Sequence, residues 1–143
     1  MKKANVLVID DDPTMLELAR FHLTDEGYGV VTASTGIDGL AAANNQAFDL
    51  VLTDLNLPDV DGIELVRKLK TASHDVEIIM VTGYGSVSKA VEATKAGAFF
   101  FVEKPVEFEE LLILCAKAVE RRQQAAEIRH LRERLSTRSS YFD

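Results

Sequence analysis

Five short apolar runs alternate with five amphipathic ones along the chain. The runs "NVLVID" (5–10), "YGVVTA" (28–33), "FDLVLTD" (48–54), "EIIMVTG" (77–83) and "AFFFVEK" (98–104) are short and apolar on both faces. Such runs suit strands buried on both sides of a parallel sheet. Between them the apolar positions recur with helical spacing. From Pro13 to Asp25, the residues Met15, Leu16, Ala19 and Leu23 fall along one stripe. Residues 36–45, 61–71, 86–96 and the chain from Glu107 onward repeat the theme. Strand–helix alternation with crossovers of this length predicts an α/β fold, a parallel sheet covered by helices on both faces.

The fifth helical pattern does not stop where such a sheet would need it to. From Glu107 it runs without Gly or Pro to about Leu135. A helix of about 28 residues is about 42 Å long, more than the domain can cover, so its second half is expected to project. Ala125, Ile128, Leu131 and Leu135 then need a partner. Ala118, Arg121, Ala125 and Ile128 keep a 3–4 spacing, but Leu131 breaks strict heptad register and Arg121 weakens the seam. The expected organisation is one domain over 1–120, a projecting helical linker and coiled-coil candidate over 121–136, and a polar linker beginning at 137–143.

Length and composition change this picture little. At 143 residues, 47% hydrophobic and 27% charged, the chain is an ordinary globular domain with an appendage. Its single cysteine, Cys115, excludes an internal disulfide and a cysteine-built metal site, which suits a cytoplasmic protein. No apolar stretch approaches the roughly 20 residues needed to span a bilayer, and the N-terminal apolar run is too short for a signal peptide. The net charge of −7 argues against nucleic-acid binding by this chain. That charge is uneven: residues 117–138 hold seven Lys/Arg against three Glu, a net +4, so the remainder carries −11.

Candidate chemistry collects at the strand ends. In an open parallel sheet, ligands bind beyond the carboxyl ends of the strands, where the strand order switches. Asp10 and Asp11 end the first run and Asp54 ends the third. If these two strands are neighbours, three carboxylates converge, and oxygen ligands gathered this way suit Mg²⁺. Thr82 ends the fourth run and Lys104 the fifth. A hydroxyl and an ammonium at the same edge could both hydrogen-bond a phosphoryl group, and a carboxylate beside them can act as a nucleophile towards phosphorus.

In sequence order, "VIDDDP", "TDLNLPDVDG", "VTG" and "FFFVEKP" resemble the motifs of the receiver domain of two-component response regulators, over residues 5 to about 120. The resemblance implies a flavodoxin-like, doubly wound (βα)5 fold with strand order 2-1-3-4-5, here with an extended C-terminal helix. It implies that Asp54 accepts a phosphoryl group from a histidine kinase. It implies a Mg²⁺ site made by Asp10, Asp11, Asp54 and the backbone carbonyl of Asn56, with Asp11 in direct contact and Asp10 through water. Thr82 matches the switch hydroxyl, Lys104 the phosphate-binding lysine, and Phe101 the aromatic that turns inward on activation. Lys104–Pro105 matches a peptide that is typically cis. Two positions depart from the pattern: Phe101 lacks the hydroxyl of the frequent Tyr, and Gly83 stands where many relatives carry Ala, giving the following loop more backbone freedom.

The long last helix and "YFD" are further similar to the N-terminal portion of sigma-54-dependent transcriptional activators. Those continue into a ring-forming ATPase and a helix-turn-helix DNA-binding domain. With no Gly-rich Walker loop, this chain reads as their excised regulatory portion. That likeness implies a homodimer, through the fourth helix, fifth strand, fifth helix face and the extended last helix, that phosphorylation alters. The chemistry would be self-modification with slow hydrolysis rather than enzymatic turnover.

Plainer roles account for several residues. Asp12-Pro13 reads as a helix N-cap followed by proline at the first helical position. Asp61 reads as a helix start, and Pro58, Asp59 and Gly62 as turn residues. Phe99, Phe100 and Phe101 read as core, with one of the last two facing outward. His22, His74 and His130 read as ordinary surface or boundary residues, Cys115 as core, and the arginines of 121–138 as a solvated face. Two other functions fit parts of the sequence. "LVIDDDPT" also matches a haloacid-dehalogenase-like phosphatase signature, with Asp10 as nucleophile and Asp12 as acid/base. A degenerate receiver that only binds partners is the other alternative.

Overall fold

The computed structural model describes residues 2–83 and 87–142. In chain order the elements are β1 (Asn5–Ile9), α1 (Pro13–Asp25), β2 (Gly29–Ala33), α2 (Gly36–Asn45), β3 (Leu50–Asp54), α3 (Gly62–Ala72), β4 (Glu77–Thr82), α4 (Val87–Ala96), β5 (Phe100–Glu103) and α5 (Phe108–Phe142). All strand pairs are parallel, and the sheet order is β2-β1-β3-β4-β5, as the receiver resemblance implies. The residue 86 expected to open the fourth helix lies outside the described residues.

Strand alternation splits the core in two. Leu7, Ile9, Val51, Ile78 and Met80 face α3 and α4, where Leu65, Val66, Leu69 and Ala93 pack on them. Val6, Val8, Leu50, Leu52, Ile79 and Val81 face the other way, onto Met15, Ala19 and Leu23 of α1 and Leu111, Cys115 and Ala118 of α5. Each fully buried Leu, Ile or Val contributes about 1.5–3 kcal/mol by leaving water. The three central strands are therefore buried on both faces, as their composition predicts.

The fifth strand differs from that expectation. It is an edge strand in which Phe101 packs half-buried on the α3/α4-side core and Val102 on the α1/α5-side core, while Phe100 remains 47% exposed, the outward-facing one of the two phenylalanines that strand alternation expects. The helix α5 also differs. It continues through Phe142, past the expected stop near Leu135 and through the expected polar linker, and its 35 residues span about 52 Å. No Gly or Pro interrupts it, and Ser and Thr cost an α-helix only a few tenths of a kcal/mol each.

The basic residues of α5 are not simply solvated. Arg121 lies 3.5 Å from Glu77 and over the ring of Phe99. Arg122 lies 3.3 Å from Asp49, and Arg129 donates to Asp75 at 2.9 Å. Beyond these, Ile128, Leu131 and Leu135 are exposed. His22 stacks on Phe108, closing α1 onto the start of α5.

Cys115 is fully buried where α5 crosses the sheet, and burial pushes its thiol up from 9.0 to about 12. Native protein should therefore resist a thiol-specific disulfide reagent at about pH 8 and react once per chain in denaturant. Rapid labelling of the native chain would contradict this packing. The raised value favours the fold below the unfolded thiol pKa, and that contribution should fade as pH rises from 9.0 towards 12.

Candidate functional site

Four strand ends meet at one edge. The β1–β3 pairing, Ile9 against Thr53, places Asp10 beside Asp54. The pairing of Asp54 with Val81 and of Thr82 with Glu103 brings the ends of β4 and β5 alongside. The Lys104 N–H donates to the Thr82 carbonyl at 2.8 Å, which fixes the lysine over the strand ends. Its ammonium lies 2.9 Å from Asp10 and 3.3 Å from Asp54. Lys104–Pro105 is cis, as the resemblance implies.

The site is enclosed on its protein side and open at Asp11. Asp10 is 2% exposed, Asp54 6% and Thr82 1%, whereas Asp11 is exposed. Asp54 Oδ1 accepts from the Asn56 N–H at 3.0 Å, and the Asn56 side-chain amide makes a long 3.5 Å contact to the Thr82 hydroxyl. Asp10 Oδ1 accepts from the Asp12 N–H at 2.9 Å.

Burial raises the Asp10 carboxyl above 3.8, although the hydrogen bond and charge of Lys104 pull it down. Burial alone would lower Lys104, but its hydrogen bond to Asp10 and the charges of Asp10 and Asp54 outweigh it, so the ammonium is held above 10.5. The lysine stays cationic, and the carboxylates still carry excess negative charge.

Carboxylate oxygens of Asp10, Asp11 and Asp54 lie within 4.8 Å of one another. Oxygens on one Mg²⁺ lie about 3 Å apart when adjacent and about 4.2 Å apart when opposite, so these side chains would draw together around a small hard cation. An all-oxygen donor set with surplus charge, open to water at Asp11, fits such an ion.

Local sequence explains how the site is supported. Asp12 caps α1 by accepting from the Thr14 N–H at 3.0 Å, so its side chain is committed to the helix rather than to the cluster. This leaves Asp10 without the second carboxylate that the phosphatase reading requires. Asp61 caps α3 through the Ile63 and Glu64 N–H groups. Gly62 has to be glycine, because a Cβ there would collide with the Leu55 carbonyl. The loop after Asp54 is thereby folded tightly, with Asn56 bridged to Asp61.

Asp59, read from sequence as a plain turn residue, has a further task. Its carboxylate accepts from the Gly36 and Ile37 N–H groups at 3.0 and 2.9 Å, tying the loop that follows Asp54 to the start of α2. Those hydrogen bonds lower its carboxyl pKa. An acidic residue in a Pro-Asp turn is the only local signal, because the partner lies 22 residues away.

Phe101 pairs in register with Met80 and shares the face of the sheet that also carries Thr82. It stacks on Phe100 with ring centroids 5.9 Å apart. A Cβ at Gly83 would meet nothing within 4 Å, so no steric demand calls for glycine there, and residues 84–86 lie outside the described residues.

Comparison with known proteins agrees with this geometry. Residues 6–116 match the model of the response regulator receiver domain. The chain is 39% identical over 138 residues to the transcriptional regulatory protein GlrR of Escherichia coli, covering 96% of this chain and 31% of GlrR. It is similar to a CheY-like receiver domain from Methanospirillum hungatei, with a TM-score of 0.82 and 36% identity over 85% of this chain and 97% of that one. NtrX of Brucella abortus aligns with a TM-score of 0.84 and 33% identity, over 92% of this chain and 30% of NtrX. The chain thus spans about a third of the length of GlrR and of NtrX.

Because the folded Asp10 carboxyl is raised, ionising it at neutral pH works against the fold. Asp10→Asn should therefore raise the Tm of the metal-free protein, measured by thermal denaturation at neutral pH. The same change should weaken Mg²⁺ binding at least about tenfold. A lower Tm would show that the Lys104 pair outweighs the burial cost.

Proposed function

The chain belongs to the response regulator receiver family, and on that premise we propose that it accepts a phosphoryl group from a histidine kinase on Asp54. The observation that carries this reading is Lys104 bridging Asp10 and Asp54 at 2.9 and 3.3 Å beside the buried Thr82. An Asp54 carboxylate oxygen bonds to phosphorus as the bond from phosphorus to the donor's imidazole nitrogen breaks. Asp10, Asp11, Asp54 and the Asn56 carbonyl would hold Mg²⁺, which when bound offsets the charge of the carboxylates and the phosphoryl oxygens. Lys104, already donating to Asp54, is positioned to transfer that hydrogen bond to a phosphoryl oxygen. The Thr82 hydroxyl, which among the described residues makes a long contact to Asn56, would turn towards the same group, and Phe101 on the same face would follow by packing. The reaction is self-modification, with slow hydrolysis as its only turnover.

Residues 1–120 would form the receiver and 121–136 a projecting helical linker. Residues 137–143, helical through Phe142, would lead towards an output domain. The match to GlrR across nearly the whole chain supports a place in a sigma-54-dependent activator with ATPase and DNA-binding domains. The exposed Val91, Phe100 and Ile113 on α4, β5 and α5 support a homodimer through that face, extended by Ile128, Leu131 and Leu135. No described helix is long and apolar enough to cross a membrane, which is compatible with a cytoplasmic regulator.

Acetyl phosphate with Mg²⁺ should add one phosphoryl mass to the protein, mapped to Asp54 and abolished by Asp54→Asn. A labile phosphate on Asp10 would instead favour the phosphatase reading, and failure of Mg²⁺ and beryllofluoride to bind would favour a degenerate receiver. In sedimentation, Leu131→Asp with Leu135→Asp should weaken self-association at least about tenfold, or about 1.4 kcal/mol. An unchanged equilibrium would remove the extended helix from the dimer.

A further inference from the structure

The end of the sheet opposite the phosphoryl site carries a second charged cluster. Asp49 immediately precedes β3, Glu77 opens β4, and Asp75 lies in the turn before it. Their side chains are only 20%, 9% and 15% exposed with α5 docked on them. Asp49 is also tied to the sheet: its Oδ2 accepts from the Asn5 N–H at 2.9 Å, and its carbonyl accepts from the Glu77 N–H at 3.2 Å. All three carboxylates meet arginines of α5: Arg122 on Asp49, Arg121 on Glu77 and Arg129 on Asp75.

We propose that these three pairs form an electrostatic clasp that fixes the direction and rotational phase of the projecting part of α5. The apolar docking of the helix ends early, since Leu111, Cys115, Ala118 and Val119 are its buried residues. Arg129 lies about 15 Å further along than Val119, so packing alone does not hold that stretch. Arg122 and Arg129 are seven residues apart, two turns on nearly the same side of the helix. Two fixed points separated by about 10 Å on one side determine both tilt and phase. Given that phase, Leu131 and Leu135 lie roughly 150° around the helix from the line through Arg122 and Arg129, on the exposed side of α5. Without it, the same residues could turn back onto the domain. Isolated surface pairs contribute little, but here each acid is mostly buried in the docked state and loses its counter-charge if the arginine leaves. The inference does not depend on which residue accepts a phosphoryl group.

Pulsed electron–electron resonance on the full 143-residue chain tests this, with spin labels at Lys95→Cys on α4 and Arg134→Cys on α5. Labelled chains are diluted with unlabelled ones so that only distances within a chain are read. The parent should give one narrow distance distribution. Arg121→Gln/Arg122→Gln/Arg129→Gln should at least double its width while helix content by circular dichroism is kept. The swap Asp75→Arg/Arg129→Asp should restore the narrow distribution that Arg129→Gln alone widens. If the triple variant unfolds, Arg129→Gln and its swap decide the question by themselves. A folded triple variant, or an Arg129→Gln variant, that keeps the parent's width would overturn the clasp and leave helix stiffness alone in control.

Discussion

Two buried carboxylates at adjacent strand ends are the constraint on which the site depends. At a separation of up to 4.8 Å, with an effective dielectric of about 20, Asp10 and Asp54 repel by about 3.5 kcal/mol. The fold accepts this because Lys104 reaches both oxygens, and Lys104 is held there because its backbone is bonded to the end of β4. That arrangement exists only in the order β2-β1-β3-β4-β5, which makes Asp10 and Asp54 neighbours and delivers the lysine from two strands away. Topology and charge are therefore one problem here. Lys104 compensates part of the negative charge, and what remains is the surplus that suits this oxygen cluster to a hard cation.

What could be read from the chain follows from how local each interaction is. Buried parallel strands announce themselves by being apolar on both faces, and Asp12-Pro13 and Asp61 announce helix starts because a cap acts within three residues. The polar strand ends were legible because the sheet edge gathers whatever stands there. The role of Asp59 was not, since its partners Gly36 and Ile37 lie on another helix. Strand alternation required one of Phe100 and Phe101 to face outward, and only the packing of β5 decided that it is Phe100. The arginines of α5 looked like a solvated face for the same reason: their acids are 44 to 73 residues away in sequence and come near only when β3, β4 and α5 have assembled. The end of α5 was misplaced because polar residues signal a linker only weakly when no Gly or Pro accompanies them.

The two ends of the sheet solve the same electrostatic problem with opposite purposes. At each end, acids of the central strands are withdrawn from water, and cations from the last third of the chain lie on them, Lys104 after β5 and three arginines on α5. At the carboxyl ends one ammonium is shared between two carboxylates, so the charge is left incompletely balanced and the pocket can take up a ligand. At the amino ends each carboxylate faces a guanidinium of α5, with Lys70 also acting on Glu77, so that end holds the helix rather than carrying surplus negative charge. β3 and β4 are the strands common to both. A change at Asp54 or Thr82 and a change in the direction of α5 therefore share two short strands of five and six residues, each buried on both faces. The acidity of the domain and the basicity of its last helix, which looked in the composition like two unrelated segments, are the two halves of that arrangement.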